Sequence, residues 1–294
     1  MLSLFCLSCS LTTPFTTNHH TKEPSNVDVP RHIAFICDGN SRWAELKSLP
    51  KSIGHAAGAD NVINIISSLR QLRPEYITAH SNETSIHYQQ VQYCTLFAFS
   101  TENWSRPPSE IKKIFKLIEK VAMQYQQHDV IKNGQIQIQV LGDLEDCRIP
   151  EETRNALNEL QLYSREACEK TRTNQSRDQS DILTVCLAIN YGGRADILQA
   201  ATKLAQSIAW GELPLNTTID GSEISKRLCT ANIPDPDLII RTGGEKRLSN
   251  FLLWNAAYAE LYFSDVLWPE FDEDALDEAI VWYSKRKRRF GGRS

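Results

Sequence analysis

An α/β fold, one domain built on a central, mostly parallel sheet flanked by helices on both faces, is predicted by three features of the sequence. Short apolar runs of strand length alternate with longer stretches whose apolar residues recur at helical spacing. Each run ends on a cluster of polar residues and glycines, which in open α/β sheets is where ligands are held. No linker-like stretch divides the interior of the 294 residues, a length that one large domain accommodates.

The first strand is residues 33–37, which stop on Asp38-Gly39-Asn40-Ser41-Arg42-Trp43. Gly39 lets the backbone turn there without a Cβ clash. Gly54-His55 and Gly58 lead into a helical pattern of Val62, Ile63, Ile65, Ile66 and Leu69, with His55 near its start. Between residues 73 and 90 the pattern fails, and Pro74 with a polar run predicts an inserted loop. Residues 93–100 form a second strand, ending in Ser100-Thr101-Glu102-Asn103-Trp104-Ser105-Arg106-Pro107. A helix follows with Ile111, Ile114, Phe115, Ile118, Ala122 and Tyr125 on one face. Further strands are read at 135–141, 182–189, 238–240 and 259–263, and helices at 150–170, from Arg194 through Trp210, and at 272–289.

Composition narrows the function. Hydrophobic content of 41%, charged content of 23% and a net charge of −4 describe an ordinary globular protein with no general pull toward nucleic acid. An anion site must therefore be built locally. No apolar run reaches the roughly 18 residues that cross a bilayer, which leaves a soluble chain or peripheral membrane contact. The eight cysteines are scattered in apolar patterns and read as buried thiols of a reducing compartment. Residues 1–29 are rich in Ser and Thr and poor in acids, as in a plastid-type transit peptide or a disordered leader. Plastid, cytoplasm and the endoplasmic reticulum surface stay open as locations.

Together the strand ends offer Asp38, Arg42, His55, Asn103, Arg106, Arg241, Arg247 and Ser249, with Gly243-Gly244 supplying backbone amides. Repeated arginines at such turns suit a phosphorylated ligand, because a guanidinium fork binds phosphate oxygens in pairs. A carboxylate among those cations is explained if it holds Mg²⁺, which binds through one or two carboxylates plus phosphate oxygens. Asp38 and Glu260 are the expected metal pair.

Several multi-residue motifs then occur in one order: Asp38-Gly39-Asn40-Ser41-Arg42-Trp43-Ala44, Gly54-His55, Phe99-Ser100-Thr101-Glu102-Asn103-Trp104-Ser105-Arg106-Pro107, Arg241-Thr242-Gly243-Gly244-Glu245 with Arg247-Leu248-Ser249, and Tyr258-Ala259-Glu260-Leu261-Tyr262. The chain from about residue 31 to 292 resembles the cis-prenyltransferases of the undecaprenyl diphosphate synthase type. The resemblance implies an α/β fold enclosing an apolar tunnel, and successive addition of isopentenyl diphosphate to an allylic diphosphate such as farnesyl or geranylgeranyl diphosphate. It implies Mg²⁺ on Asp38 and Glu260. Gly39, Asn40, Arg42, Trp43 and His55 would hold the allylic diphosphate, and Arg241, Arg247 and Ser249 isopentenyl diphosphate. Ser41, Lys51, Ser100, Thr101, Glu102, Trp104, Arg106 and Leu248 are likewise implied to bind substrate. Asn103 matches a residue assigned as proton acceptor, but a neutral amide is a poor base, so it is expected to orient substrate or water. Burying a five-carbon unit in the tunnel would contribute roughly 3 to 4 kcal/mol at about 0.8 kcal/mol per CH₂. Arg289-Phe290-Gly291 resembles the terminal motif through which single-subunit members complete a partner's site, implying a homodimer.

Three departures stand out. Lys51 replaces the usual arginine and loses its bidentate fork, Glu270 replaces an aspartate, and the 73–90 insertion lacks a counterpart in the compact bacterial pattern. Two other readings are a phosphohydrolase with Asp38 as nucleophile and a non-catalytic subunit of a two-component transferase. The first commonly wants a second acid where Asn40 stands. The second should have lost Asp38, Arg241 and Arg247, and all three are present.

Overall fold

The computed structural model describes residues 29–72, 90–175 and 181–288. The leader, most of the 73–90 insertion and Arg289-Phe290-Gly291 lie outside the described residues. Six strands form one sheet: β1 (His32–Ile36), β2 (Tyr93–Ser100), β3 (Ile136–Leu141), β4 (Leu183–Tyr191), β5 (Leu238–Arg241) and β6 (Glu260–Phe263). Their order is β3-β4-β2-β1-β5-β6, and every neighbouring pair is parallel.

Why β1 is central follows from its composition. All five residues are buried, and alternate side chains serve opposite faces. Ile33 and Phe35 join the larger core cluster, while Ala34 and Ile36 join the smaller one across the sheet. On the larger side Phe35 meets the Trp268 and Phe271 rings at 5.8 and 6.3 Å between centroids. On the other, Phe97 stacks on Phe251 at 4.5 Å. Fully burying each such side chain stabilises by about 1.5–3 kcal/mol.

The helices are α1 (Asn40–Leu46), α2 (Lys51–Arg70), α3 (Pro108–Gln126), α4 (Asp129–Lys132), α5 (Glu151–Gln175), α6 (Gly193–Ala209), α7 (Gly221–Ser225) and α8 (Glu273–Ser284). α3 opens with Pro108 at a position whose amide would be unpaired anyway, and it buries Ile114, Phe115, Ala122 and Tyr125 on the stripe its spacing predicts. α8 is capped by Asp272, whose carboxylate accepts from Ala275 N at 3.0 Å.

Of the boundaries that differ from the sequence reading, two bear on the site. The turn after β1 is a helix: Gly39, at φ 108°, is followed at once by α1. α2 starts at Lys51, ahead of the apolar pattern, so Gly54, His55 and Gly58 are helical. The apolar signal begins late because the first turns of α2 press on α1 through glycine. A Cβ on Gly54 would lie 2.0 Å from the Asn40 carbonyl oxygen.

Candidate active site

The carboxyl ends of β1 and β5 lie side by side, Ile36 opposite Arg241. Two residues beyond Ile36, Asp38 meets two of the arginines read at the strand ends. Its Oδ2 accepts from Arg241 Nη2 at 2.8 Å, and its Oδ1 lies 3.3 Å from Arg42 Nη2. Arg42 reaches back because α1 places it four residues along, and its Nη1 also donates to the Gly243 carbonyl at 2.6 Å. Gly243, at φ 82°, is required here: a Cβ would fall 2.5 Å from Arg42 Nη2. Thr242, which the sequence reading passed over, ties the two ends together. Its hydroxyl accepts from Asp38 N at 3.0 Å and donates to Asp38 O at 2.8 Å.

Arg241 is 4% exposed. Its Nη1 donates to the Arg247 carbonyl at 2.6 Å and to Ser249 Oγ at 2.7 Å, so one guanidinium organises the loop that follows β5. Arg247 itself is exposed and pairs with Glu245, and Leu248 packs against the smaller core cluster.

The polar run after β2 makes a 3-10 turn, Thr101–Ser105. Asn103 caps it, its Oδ1 accepting from Ser100 N at 2.9 Å. Glu102 accepts from Asn250 Nδ2 at 2.7 Å, joining this turn to the β5 loop. Thr101 donates to Glu102 at 3.2 Å. Trp104 donates to Asn190 Oδ1 at 2.7 Å, beneath the Arg148 guanidinium at 4.4 Å. Arg106 donates to Glu110 Oε1 at 3.1 Å, and His55 Nε2 lies 3.7 Å from the same oxygen. Burial, then the Arg106 cation, lower the His55 pKa below its usual 6.5, which keeps the ring neutral at neutral pH. Glu110 is a partner that only the folded chain makes evident.

Below this rim lies a cavity of about 210 Å³. Asn40, His55, Asn103 and Arg106 line its polar end, and Val62, Leu96, Ile118 and Leu160 its apolar walls. Asn103 also lines a separate polar groove with Ser100, Arg194 and Ser249. Three buried polar atoms at the rim have no hydrogen-bond partner: Asn40 Oδ1, His55 Nε2 and Arg241 Nε. Unpaired groups of this kind cost stability and fit a ligand that would satisfy them.

Three further predicted residues have their contacts elsewhere or none at the Asp38 cluster. Trp43 donates to Glu270 at 2.9 Å under the Lys47 ammonium. Lys51 pairs with Glu45 at 3.3 Å, and Ser41 lies in the first turns of α1. Glu260 is a correction. It pairs in register with Leu238, whereas Arg241 pairs with Phe263, so Glu260 sits at the amino ends of the strands and Asp38 at their carboxyl ends. Three residues of strand separate the two levels by roughly 10 Å, and Glu260 instead binds Arg286 Nε at 3.0 Å. The motif is read correctly as a strand, but parallel register sends its first residue away from the site.

A parallel sheet that gathers guanidinium groups, with Asp38 held between two of them, over an apolar cavity defines a protein for phosphorylated, apolar-tailed molecules. Comparison with known proteins specifies the family. The family model described as "Putative undecaprenyl diphosphate synthase" matches residues 36–291, and the chain belongs to that prenyltransferase family. It is 42% identical over 263 residues to the isoprenyl transferase of Neisseria gonorrhoeae, covering 90% of each chain. It is 40% identical to the farnesyl-diphosphate-specific ditrans,polycis-undecaprenyl-diphosphate synthase of Shewanella oneidensis, covering 90% of this chain and 83% of the relative. Among solved structures, lavandulyl diphosphate synthase from Lavandula x intermedia, in complex with dimethylallyl diphosphate, is similar with a TM-score of 0.74 at 31% identity, covering 90% of this chain and 98% of that one. The protein is accordingly an enzyme, a prenyltransferase of the α/β class expected from the sequence.

Proposed function

We propose that the protein condenses isopentenyl diphosphate successively onto an allylic diphosphate such as farnesyl diphosphate, releasing diphosphate and lengthening a cis-polyprenyl chain. The observation that carries this reading is the meeting of an apolar cavity and a polar groove at Asn103. The allylic tail would lie in the cavity with its diphosphate against Asn40, Arg42 and His55. Isopentenyl diphosphate would lie in the groove against Ser249, on the loop that Arg241 and Arg247 help to shape, bringing its double bond beside the allylic carbon.

Breaking the allylic C–O bond puts negative charge on the departing diphosphate, and preorganised guanidinium groups lower the barrier by stabilising that charge. The isopentenyl double bond attacks the allylic carbon, and loss of a proton from the adjacent carbon forms the new double bond. Asn103 already uses its carbonyl oxygen on Ser100 N. Its amide is therefore a group that orients substrate, and the released diphosphate takes the proton.

The donor set fits Mg²⁺ held jointly by Asp38 and phosphate oxygens, the usual way this ion is bound beside diphosphates. Among the described residues no group of three His, Cys, Asp or Glu side chains could hold a metal alone. Once bound it would neutralise phosphate charge, with Asp38 as its one ligand from this site; Glu260 of the same chain is not assigned to it. A homodimer is the expected assembly from the Arg289-Phe290-Gly291 resemblance, and no helix among the described residues is long and apolar enough to cross a membrane.

The test is incubation of the purified protein with farnesyl diphosphate, labelled isopentenyl diphosphate and Mg²⁺. Label should pass into butanol-extractable polyprenyl diphosphates, with one diphosphate released per unit added. Monophosphate release from simple phosphate esters, with no requirement for isopentenyl diphosphate, would establish the phosphohydrolase reading instead.

A further inference from the structure

The cavity beneath the rim is short, and particular side chains determine where it stops. It is lined by Leu96 at the middle of β2 and by Leu187 at the middle of β4. Nearer the amino ends of the strands, Cys94, Val185, Ile138, Ile65 and Ile131 are at most 3% exposed and pack as solid core. The sheet therefore offers no room below its midline.

Tyr125 closes the seam between the two helices above that floor. It lines the cavity one residue before α3 ends at Gln126. Helical side chains lean toward the amino end of their helix, so its ring lies over the preceding turn, on the cavity side. There the hydroxyl crosses to α2 and donates to the Ala59 carbonyl at 3.1 Å. Ala59 lies about one turn of α2 beyond His55. Among the α2 and α3 side chains that line the cavity the phenol is the largest, and Ala59 and Ala122 are its small neighbours. At 7% exposure and tied to backbone, it is a fixed crossbar.

We propose that Tyr125 sets the length of the product, its ring being the stop against which the growing apolar tail halts. This rests on the prenyl-transfer reading and names the residue that limits elongation. The hydroxyl holds the ring in place, but the ring itself is the obstacle. A smaller side chain should admit further carbons, and extra bulk at the same level should exclude them.

The experiment is chromatography of products made from farnesyl diphosphate and labelled isopentenyl diphosphate by the full chain and its variants, with folding checked by circular dichroism. Tyr125→Leu, which keeps a good helix former, and Tyr125→Ala should make a longest product at least one five-carbon unit longer. Tyr125→Phe should leave the length distribution unchanged, and Ala122→Leu should shorten it. Folded, active Tyr125→Leu with unaltered products would overturn the assignment, as would unaltered products from Ala122→Leu should the smaller variants not fold. Absence of incorporation by the unmodified protein would overturn the prenyl-transfer reading itself, a separate outcome.

Discussion

Asp38 and Arg241 hold each other in place before any substrate arrives. Arg241 is almost wholly buried and satisfies three different acceptors, Asp38, Ser249 and the Arg247 carbonyl. Asp38→Ala should abolish turnover while costing about 1–3 kcal/mol of stability, the usual penalty for stripping a partner from a buried charge. Rate assays beside thermal melts would check this, and near-normal turnover would remove Asp38 from the chemistry. Arg241→Lys keeps the charge but cannot span three acceptors from one plane. The KM for isopentenyl diphosphate should rise roughly tenfold or more, with the allylic KM changing less. An equal rise in both would show that the loop after β5 serves the allylic site too.

Among the elements, the α1–α2 corner shows how packing can overrule propensity. Gly54→Ala ought to favour the helix by about 1 kcal/mol. Its Cβ would nevertheless lie 2.0 Å from the Asn40 carbonyl oxygen, a backbone atom that cannot swing aside. A net loss of about 1–3 kcal/mol is expected in denaturant titrations, as for other overpacked sites. β1 carries a pH dependence at its other end. His32 Nδ1 donates to the Pro234 carbonyl at 2.7 Å and Nε2 accepts from Thr95 at 2.8 Å, and burial lowers its pKa from 6.5 to about 4. Because the unfolded chain binds this proton first, stability is full above about pH 6.5 and falls as pH drops toward 4. The loss from this residue reaches about 3 kcal/mol. His32→Gln should flatten that part of the pH–stability curve, and an unchanged slope would assign it elsewhere.

For the whole molecule, the proposed function implies that a Mg²⁺ ion would enter with the substrate. Asp38 is already paired with two guanidinium groups, so its charge is balanced without a cation. A chelator should abolish turnover yet leave the melting temperature unaltered, and re-added Mg²⁺ should restore activity. A fall in melting temperature would reveal a structural metal instead.

Much of the architecture was legible because the physics behind it is local. Buried parallel strands need unbroken apolar runs, and helices covering them need a stripe, so 93–100 and the face from Ile111 to Tyr125 were readable directly. So were the clusters at the strand ends, because Asp38-Gly39 and Arg241-Thr242-Gly243-Gly244 break the apolar pattern abruptly. α1 and the early start of α2 were not, since their contacts run through glycines that carry no apolar signal. What the chain by itself determined, then, was which segments become strands and which charged groups follow them. What only the tertiary structure decided was which strands pair and which end of a strand each group reaches. Parallel register carries Glu260 to the strand ends opposite Asp38, and the α2–α3 packing sets Tyr125 against Ala59 at the cavity wall, both through contacts between residues distant in sequence.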